Sequence, residues 1–232
     1  MNNDFATYSV ERLEIRRRGG GGRSLSGRFG YSQGPGRRMA TLRNRGMRRK
    51  ERIQKKAFNF SLREFKRLKD DLDKMLKQGA AQAEIEAAQE ELSRRNVHVL
   101  AGHDFNKPLG SLATGATIIE TDDAIEFNVD LPEDENQWPS YMVDTVKQVE
   151  AGLIGGISPG FIVPPRDVVP DAETEEPEPG NEAVTVRVIK HAVLFELSLV
   201  TRPSYSETSV DVREEDFKQE EKQEEKQVRL WL

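Results

Sequence analysis

The chain contains no cysteine, which excludes disulfide staples and thiolate metal centres. Histidine is scarce. His98, His103 and His191 are the whole supply, so a multi-histidine metal site would need most of them, and neither a metal nor a cofactor is expected. Long apolar runs are missing too. None approaches the roughly 20 residues that span a bilayer, and the N-terminus has no apolar core of a signal peptide. The expectation is a soluble, intracellular protein without membrane contact. Hydrophobic residues make up 36% and charged residues 32% of 232 positions, so the folded part is expected to be shorter than the chain.

What the sequence does have is an uneven charge. Residues 1–56 carry 16 Lys and Arg against 4 Asp and Glu, a net of +12. The remainder carries 19 against 36, a net of −17. A basic head of this kind reads equally as a nucleic-acid contact, a contact for an acidic protein, or a solvated arm.

Four consecutive glycines in "RRRGGGGR" (16–23) mark a joint, and residues 1–25 are read as a flexible basic arm. The main domain is assigned to 26–211. Within it, "SGRFGYS" (26–32) has strand-like aromatics. "SLREFKRLKDDLDKMLKQ" places Leu62, Phe65, Leu68, Leu72, Met75 and Leu76 at helical spacing. Ser61 and Glu64 fit a capping box at its start. After Gly79 a weaker helix follows, so 61–96 reads as an inserted helical hairpin.

"TIIE", a "TDD" turn and "AIEFNVDLP" read as a β-hairpin, with Ile125, Phe127, Val129 and Leu131 on one face. "PSYMVDTVKQVEAG" reads as a helix, with Pro139 in its first turn and Gly152 just past its end. Residues 164–182, "PPRDVVPDAETEEPEPGNE", read as an acidic surface loop. Two strands are expected over 184–189 and 192–200, and a charged tail over 212–232.

Three segments carry potential chemistry: "LAGHDFNKPLGS" with His103, "GLIGGISPGF" with Ser158, and "LFELSLVTRPSY" with Glu196. In the second, four glycines and a proline surround one serine. Each glycine costs conformational entropy and packs nothing, so the stretch is either a turn or a place of close backbone approach. Serine, histidine and a carboxylate are the parts of a nucleophilic triad. A serine hydroxyl needs an imidazole to take its proton and a third group to hold that imidazole. Such a trio occurs by chance in most proteins, and order along the chain adds the information.

In that order the segments resemble the prohead (procapsid) maturation serine proteases of tailed phages, a family related in fold to the herpesvirus assembly proteases. The matching stretches are "LAGHDFNKPLG", "GLIGGISPGF" and "LFELSLVTRP", with weaker likeness in "SGRFGY" and "RRKERIQKKAF"; together they cover roughly 26–60 and 97–210. The resemblance implies an α+β fold built on a herpesvirus-protease-like β-barrel with packed helices. It implies Ser158 as nucleophile, His103 as general base and Glu196 as the acid that orients it. His191 is the alternative third member, since the herpesvirus relatives use a second histidine.

On a regular strand Glu196 would share its face with Leu194 and Ser198, and Asp104 is expected to hold its loop rather than the imidazole. Gly155, Gly156 and Gly160 would clear room for a substrate strand. Pro159 has no N–H to offer an oxyanion, which leaves Gly160 or the turn at 201–202.

The implied function is an endopeptidase acting on the scaffolding segment of the major capsid protein, on a separate scaffold, or on itself, inside the assembling procapsid in the host cytoplasm. Self-association is a further implied partner. The rival reading is a non-catalytic assembly or scaffold protein with a nucleic-acid-binding arm.

Overall fold

Alternating side chains build the first sheet. A computed structural model describes residues 12–17, 22–31, 40–44, 47–178 and 180–201. The strands and helices run β1 (Arg12–Arg17), β2 (Arg23–Gly30), β3 (Ala40–Asn44), β4 (Met47–Ile53), α1 (Asn59–Gln78), α2 (Gln82–Arg94), β5 (His98–Ala101), β6 (Asp104–Ser111), β7 (Thr117–Glu120), β8 (Ala124–Asp130), α3 (Ser140–Glu150), β9 (Gly156–Ile162), β10 (Glu173–Glu178), β11 (Asn181–Ile189) and β12 (Val193–Val200). In β8, Ile125, Phe127 and Val129 are buried while Glu126, Asn128 and Asp130 face solvent, the period-two pattern of a half-buried strand. It pairs antiparallel with β7 on one side and β2 on the other.

The strands form three four-stranded sheets, ordered β1-β2-β8-β7, β10-β11-β4-β3 and β6-β5-β12-β9. The α+β class is as expected, but none of these sheets closes into a barrel. Alternation in sequence specifies which side of a strand is apolar. It does not specify the long-range hydrogen bonds that would join one sheet's edge to the next. The inward faces share one core, with Leu25, Phe29, Phe127, Val99, Ile157 and Leu197 among its members.

The segment assigned to a flexible arm supplies β1 and the start of β2, paired antiparallel from Arg12–Arg28 to Arg17–Arg23. Residues 1–11 and 18–21 and the tail at 212–232 lie outside the described residues. The basic head is also less exposed as charge than its sequence implies. Arg23 meets Glu135 and Glu150, Arg28 meets Glu126, Lys50 meets Glu178 and Arg52 meets Glu176.

Those last two partners lie in the stretch expected to be an acidic loop. Glu173–Glu178 is a strand, β10, antiparallel to β11. It is an edge strand, which tolerates Pro177, and the register shifts there. Across β11, the Arg187 guanidinium is held between Glu51 and Glu173. Mutual neutralisation lets a run of carboxylates adopt a regular strand that composition alone disfavours.

The helical hairpin forms as expected, with one correction. Helix α1 begins at Asn59, and Ser61 lies inside it: its hydroxyl donates to the Phe58 carbonyl and accepts from the Leu194 N–H. Ser61 is therefore a buried link to β12 rather than a cap, and Glu64 pairs with Arg67. Phe65 and Leu72 are buried, whereas Leu76 near the far end is half exposed. No residue of α2 is fully buried.

Helix α3 buries Met142, Thr145, Val146 and Val149, the i, i+3, i+4, i+7 stripe of an amphipathic helix. Tyr141 Oη donates to the Pro108 carbonyl and ties α3 to β6. Among the described residues no helix is long and apolar enough to cross a membrane.

One buried polar cluster lies beside the start of α1. Tyr31 Oη donates to Glu120 Oε1 at 2.5 Å, and the Phe58 N–H donates to the same oxygen. Glu120 Oε2 is buried without a hydrogen bond. Burial pushes the Glu120 carboxyl above its ordinary range, against the opposing pull of those two donors and the Lys56 charge.

Candidate active site

His103 occupies the tip of the β5–β6 hairpin. Ala101 pairs with Asp104, leaving Gly102 and His103 as the two turn residues. Their φ angles are 67° and 62°. Positive φ at both central positions matches the twist of a two-residue hairpin. Glycine adopts it freely, whereas for histidine it costs about 1–2 kcal/mol.

Three bonds to β12 hold this turn. The Gly102 N–H donates to the Leu199 carbonyl at 2.9 Å. The His103 N–H donates to Ser198 Oγ at 3.2 Å. The His103 ring places Nδ1 2.5 Å from Glu196 Oε1. Asp104 turns onto its own loop, accepting from the Asn106 N–H and pairing with Lys107, as its sequence position predicts.

Glu196 reaches the imidazole because β12 is irregular. Leu194 pairs with Phe161 of β9, and Glu196 pairs with the next residue back, Gly160. Phe195 is thus an extra residue, a β-bulge. The expected sharing of one face by Leu194 and Glu196 is therefore wrong. Leu194 and Leu197 both join the apolar core. Glu196 and Ser198 occupy the other face, in register with Gly160 and Ser158.

Gly160 is needed there for a reason other than substrate access. A Cβ on it would lie 2.4 Å from Glu196 Cγ and 2.7 Å from the Phe195 ring. The missing side chain is the space that the carboxylate fills. Gly155, by contrast, has nothing within 4 Å of such a Cβ.

Ser158 lies on β9 directly across from Ser198 and is 3% exposed. Directly opposed residues of an antiparallel pair hold their Cβ atoms about 4.5–5.5 Å apart. Its neighbours Ile157 and Pro159 face the other way, opposite Leu199 and Leu197. The glycine-rich segment divides: Gly152–Gly155 turn out of α3, and the part from Gly156 onward is strand. This is a sheet-edge strand with an apolar face inward and a serine on the site face, and an edge strand is where Pro159 can be accommodated.

Among the described residues the His103 ring bonds to Glu196 and not to Ser158. The ring is 44% exposed and the Glu196 side chain 5% exposed. The carboxylate is thus fixed in the interior while the imidazole reaches toward solvent. In unliganded enzymes the bond from nucleophile to base is often loose.

His191 is exposed in the β11–β12 turn, where its N–H donates to the Ala172 carbonyl. It makes no bond to His103 among the described residues. Arg202, at the second proposed oxyanion turn, lies outside them. Among the described residues no group of three or more His, Asp or Glu side chains is arranged to hold a metal ion.

Two neighbours escaped the sequence reading. Ser198 carries the hydroxyl that meets both His103 and Glu196, and its signal was its position two residues after Glu196. His98 stands in register with Glu196 across the parallel β5–β12 pair. Burial lowers its pKa, and the Glu196 charge only partly opposes this. Phe105 lies edge-on to His98 and stacks on Phe195.

The model of one protein family, caudovirus prohead serine protease, matches residues 68–223. That span is about two thirds of the chain and includes His103, Ser158 and Glu196. It begins within α1, so it takes in most of the helical hairpin and leaves out 26–60. No curated protein and no solved structure matches the chain.

Proposed function

The chain belongs to the caudovirus prohead serine protease family, and from that premise we propose that it matures procapsids with Ser158 as nucleophile, His103 as general base and Glu196 as the group that orients the base. His103 Nε2 takes the Ser158 proton as Oγ attacks the scissile carbonyl carbon. The tetrahedral intermediate collapses when the imidazolium returns that proton to the leaving amine nitrogen. This breaks the C–N bond and leaves an acyl ester on Ser158. Water then attacks the ester with His103 again as base, releasing the carboxylic acid and restoring the hydroxyl.

Glu196 keeps the ring in the tautomer with hydrogen on Nδ1, so that Nε2 is free to accept, and it stabilises the imidazolium. The substrates in this reading are the scaffolding segment of the major capsid protein or a separate scaffold, together with the protease itself. The place of action is the procapsid interior in the host cell.

The observation that carries the reading is the 2.5 Å contact between His103 Nδ1 and Glu196 Oε1, made on the strand that pairs with the one bearing Ser158. The decisive experiment is Ser158→Ala in the full chain, co-expressed with the cognate capsid protein. Loss of the nucleophile is expected to lower turnover by about 10⁶. Cleavage that persists in this variant would overturn the assignment.

A further inference from the structure

Ser198 is completely buried, and its hydroxyl makes two bonds of opposite sense. It accepts the His103 backbone N–H at 3.2 Å and donates to Glu196 Oε2 at 3.3 Å. We propose that Ser198 is a positioning residue that fixes the base and its carboxylate as one unit, so that the His103 tautomer depends on this hydroxyl. This rests on the reading of Ser158, His103 and Glu196 as the catalytic residues.

The two oxygens of Glu196 have separate duties. Oε1 meets the imidazole and Oε2 takes the Ser198 proton. A carboxylate held at one oxygen alone can rotate about its last bond, and each rotation changes the angle at which the other oxygen meets Nδ1. A second donor on Oε2 stops that rotation. A carboxylate oxygen this deeply buried also carries a desolvation cost that a hydroxyl donor offsets.

At the other end, the Ser198 oxygen accepts from the backbone of a histidine held at positive φ. Loss of that acceptor frees one of the two backbone bonds that hold the turn to β12. Both effects converge on the ring: the carboxylate swings and the hairpin tip loosens. A hydroxyl two residues from Glu196 on the same face reaches both partners. Serine leaves no surplus volume to place in a site with no exposure.

The test uses imidazole ¹⁵N spectra and cleavage kinetics on the full chain. In the Ser158→Ala background, where self-cleavage is blocked, the neutral His103 ring is expected to carry its hydrogen on Nδ1. Adding Ser198→Ala is expected to populate both tautomers. In the active chain, Ser198→Ala is expected to lower kcat by about 10- to 100-fold, the range seen when partners that orient a functional histidine are removed, with KM nearly unchanged.

An unchanged tautomer together with parental kcat in Ser198→Ala overturns the inference. If Ser198→Ala does not fold, Ser198→Cys decides, since a thiol fills the space but donates poorly. A cysteine variant with parental tautomer and kcat overturns the inference, and a loss of both supports it. Cleavage that survives Ser158→Ala overturns the catalytic reading itself, a result separate from any behaviour of Ser198.

Discussion

His103 Nδ1 and Glu196 Oε1 lie 2.5 Å apart although 93 residues separate them in the chain. The contact exists because a hairpin tip from one strand pair and a bulge in the neighbouring strand meet on one face of a sheet. Replacing Glu196 with glutamine keeps the shape and removes the charge. An amide that turns its NH₂ toward Nδ1 forces the hydrogen onto Nε2, where the nucleophile's proton must go. Glu196→Gln is therefore expected to lower kcat by about 10⁴ with little change in thermal stability. Steady-state cleavage of a capsid-derived substrate, alongside a melting curve, measures both.

Gly160→Ala and Gly155→Ala separate packing from access. At Gly160 the new methyl meets Glu196 and Phe195 well inside contact distance. Overpacking of this kind costs about 1–3 kcal/mol, and the displaced carboxylate takes activity with it. At Gly155 the methyl enters open space, and stability is expected to stay level or rise by about 0.4–1 kcal/mol. The urea midpoint should fall for Gly160→Ala and hold or rise for Gly155→Ala.

Glu120 gives a pH signature away from the site. Its carboxyl is raised above the ordinary value of 4.5, chiefly by burial, so the native state keeps a proton that the unfolded chain has already released. That stabilisation is complete below pH 4.5 and is lost as pH rises through the native value. Glu120→Gln has no proton to release there, and its carbonyl oxygen can still accept from Tyr31 and Phe58. Relative to this variant, the parent should lose stability as pH rises above 4.5. Denaturation midpoints taken across that rise test it, and parallel curves would refute it.

Arg187 is the cation against which Glu51, 3% exposed, and Glu173 are set. Arg187→Met removes it and leaves the carboxylates, a change expected to cost about 3 kcal/mol. Combining it with Glu51→Leu is expected to recover most of the loss, because the desolvated charge goes as well. Chemical denaturation of the single and double variants provides the comparison.

The sequence made the local periods legible. The α1 stripe of Phe65 and Leu72, the alternation of Ile125 to Val129, and the two strands after 181 follow from side chains spaced for one face. The order of the three motifs singles out His103, Ser158 and Glu196 as candidates, and the fold sets the first against the third. What stayed hidden depends on partners distant in sequence. Carboxylates at 173–178 form a strand because Lys50, Arg52 and Arg187 face them. Ser61 sits inside a helix because Leu194 needs an acceptor. Gly160 reads as backbone freedom until Glu196 is placed against it.

The extra residue at Phe195 also decides where the strand tolerates a change of length. Excising Phe195 would restore simple alternation from Leu194 to Leu199 and leave every facing direction intact. Excising any one residue between Glu196 and Leu199 would invert one end of the strand against the other, turning either the acid or the leucines the wrong way. For anyone grafting, splicing or shortening this protein, that phenylalanine marks the joint.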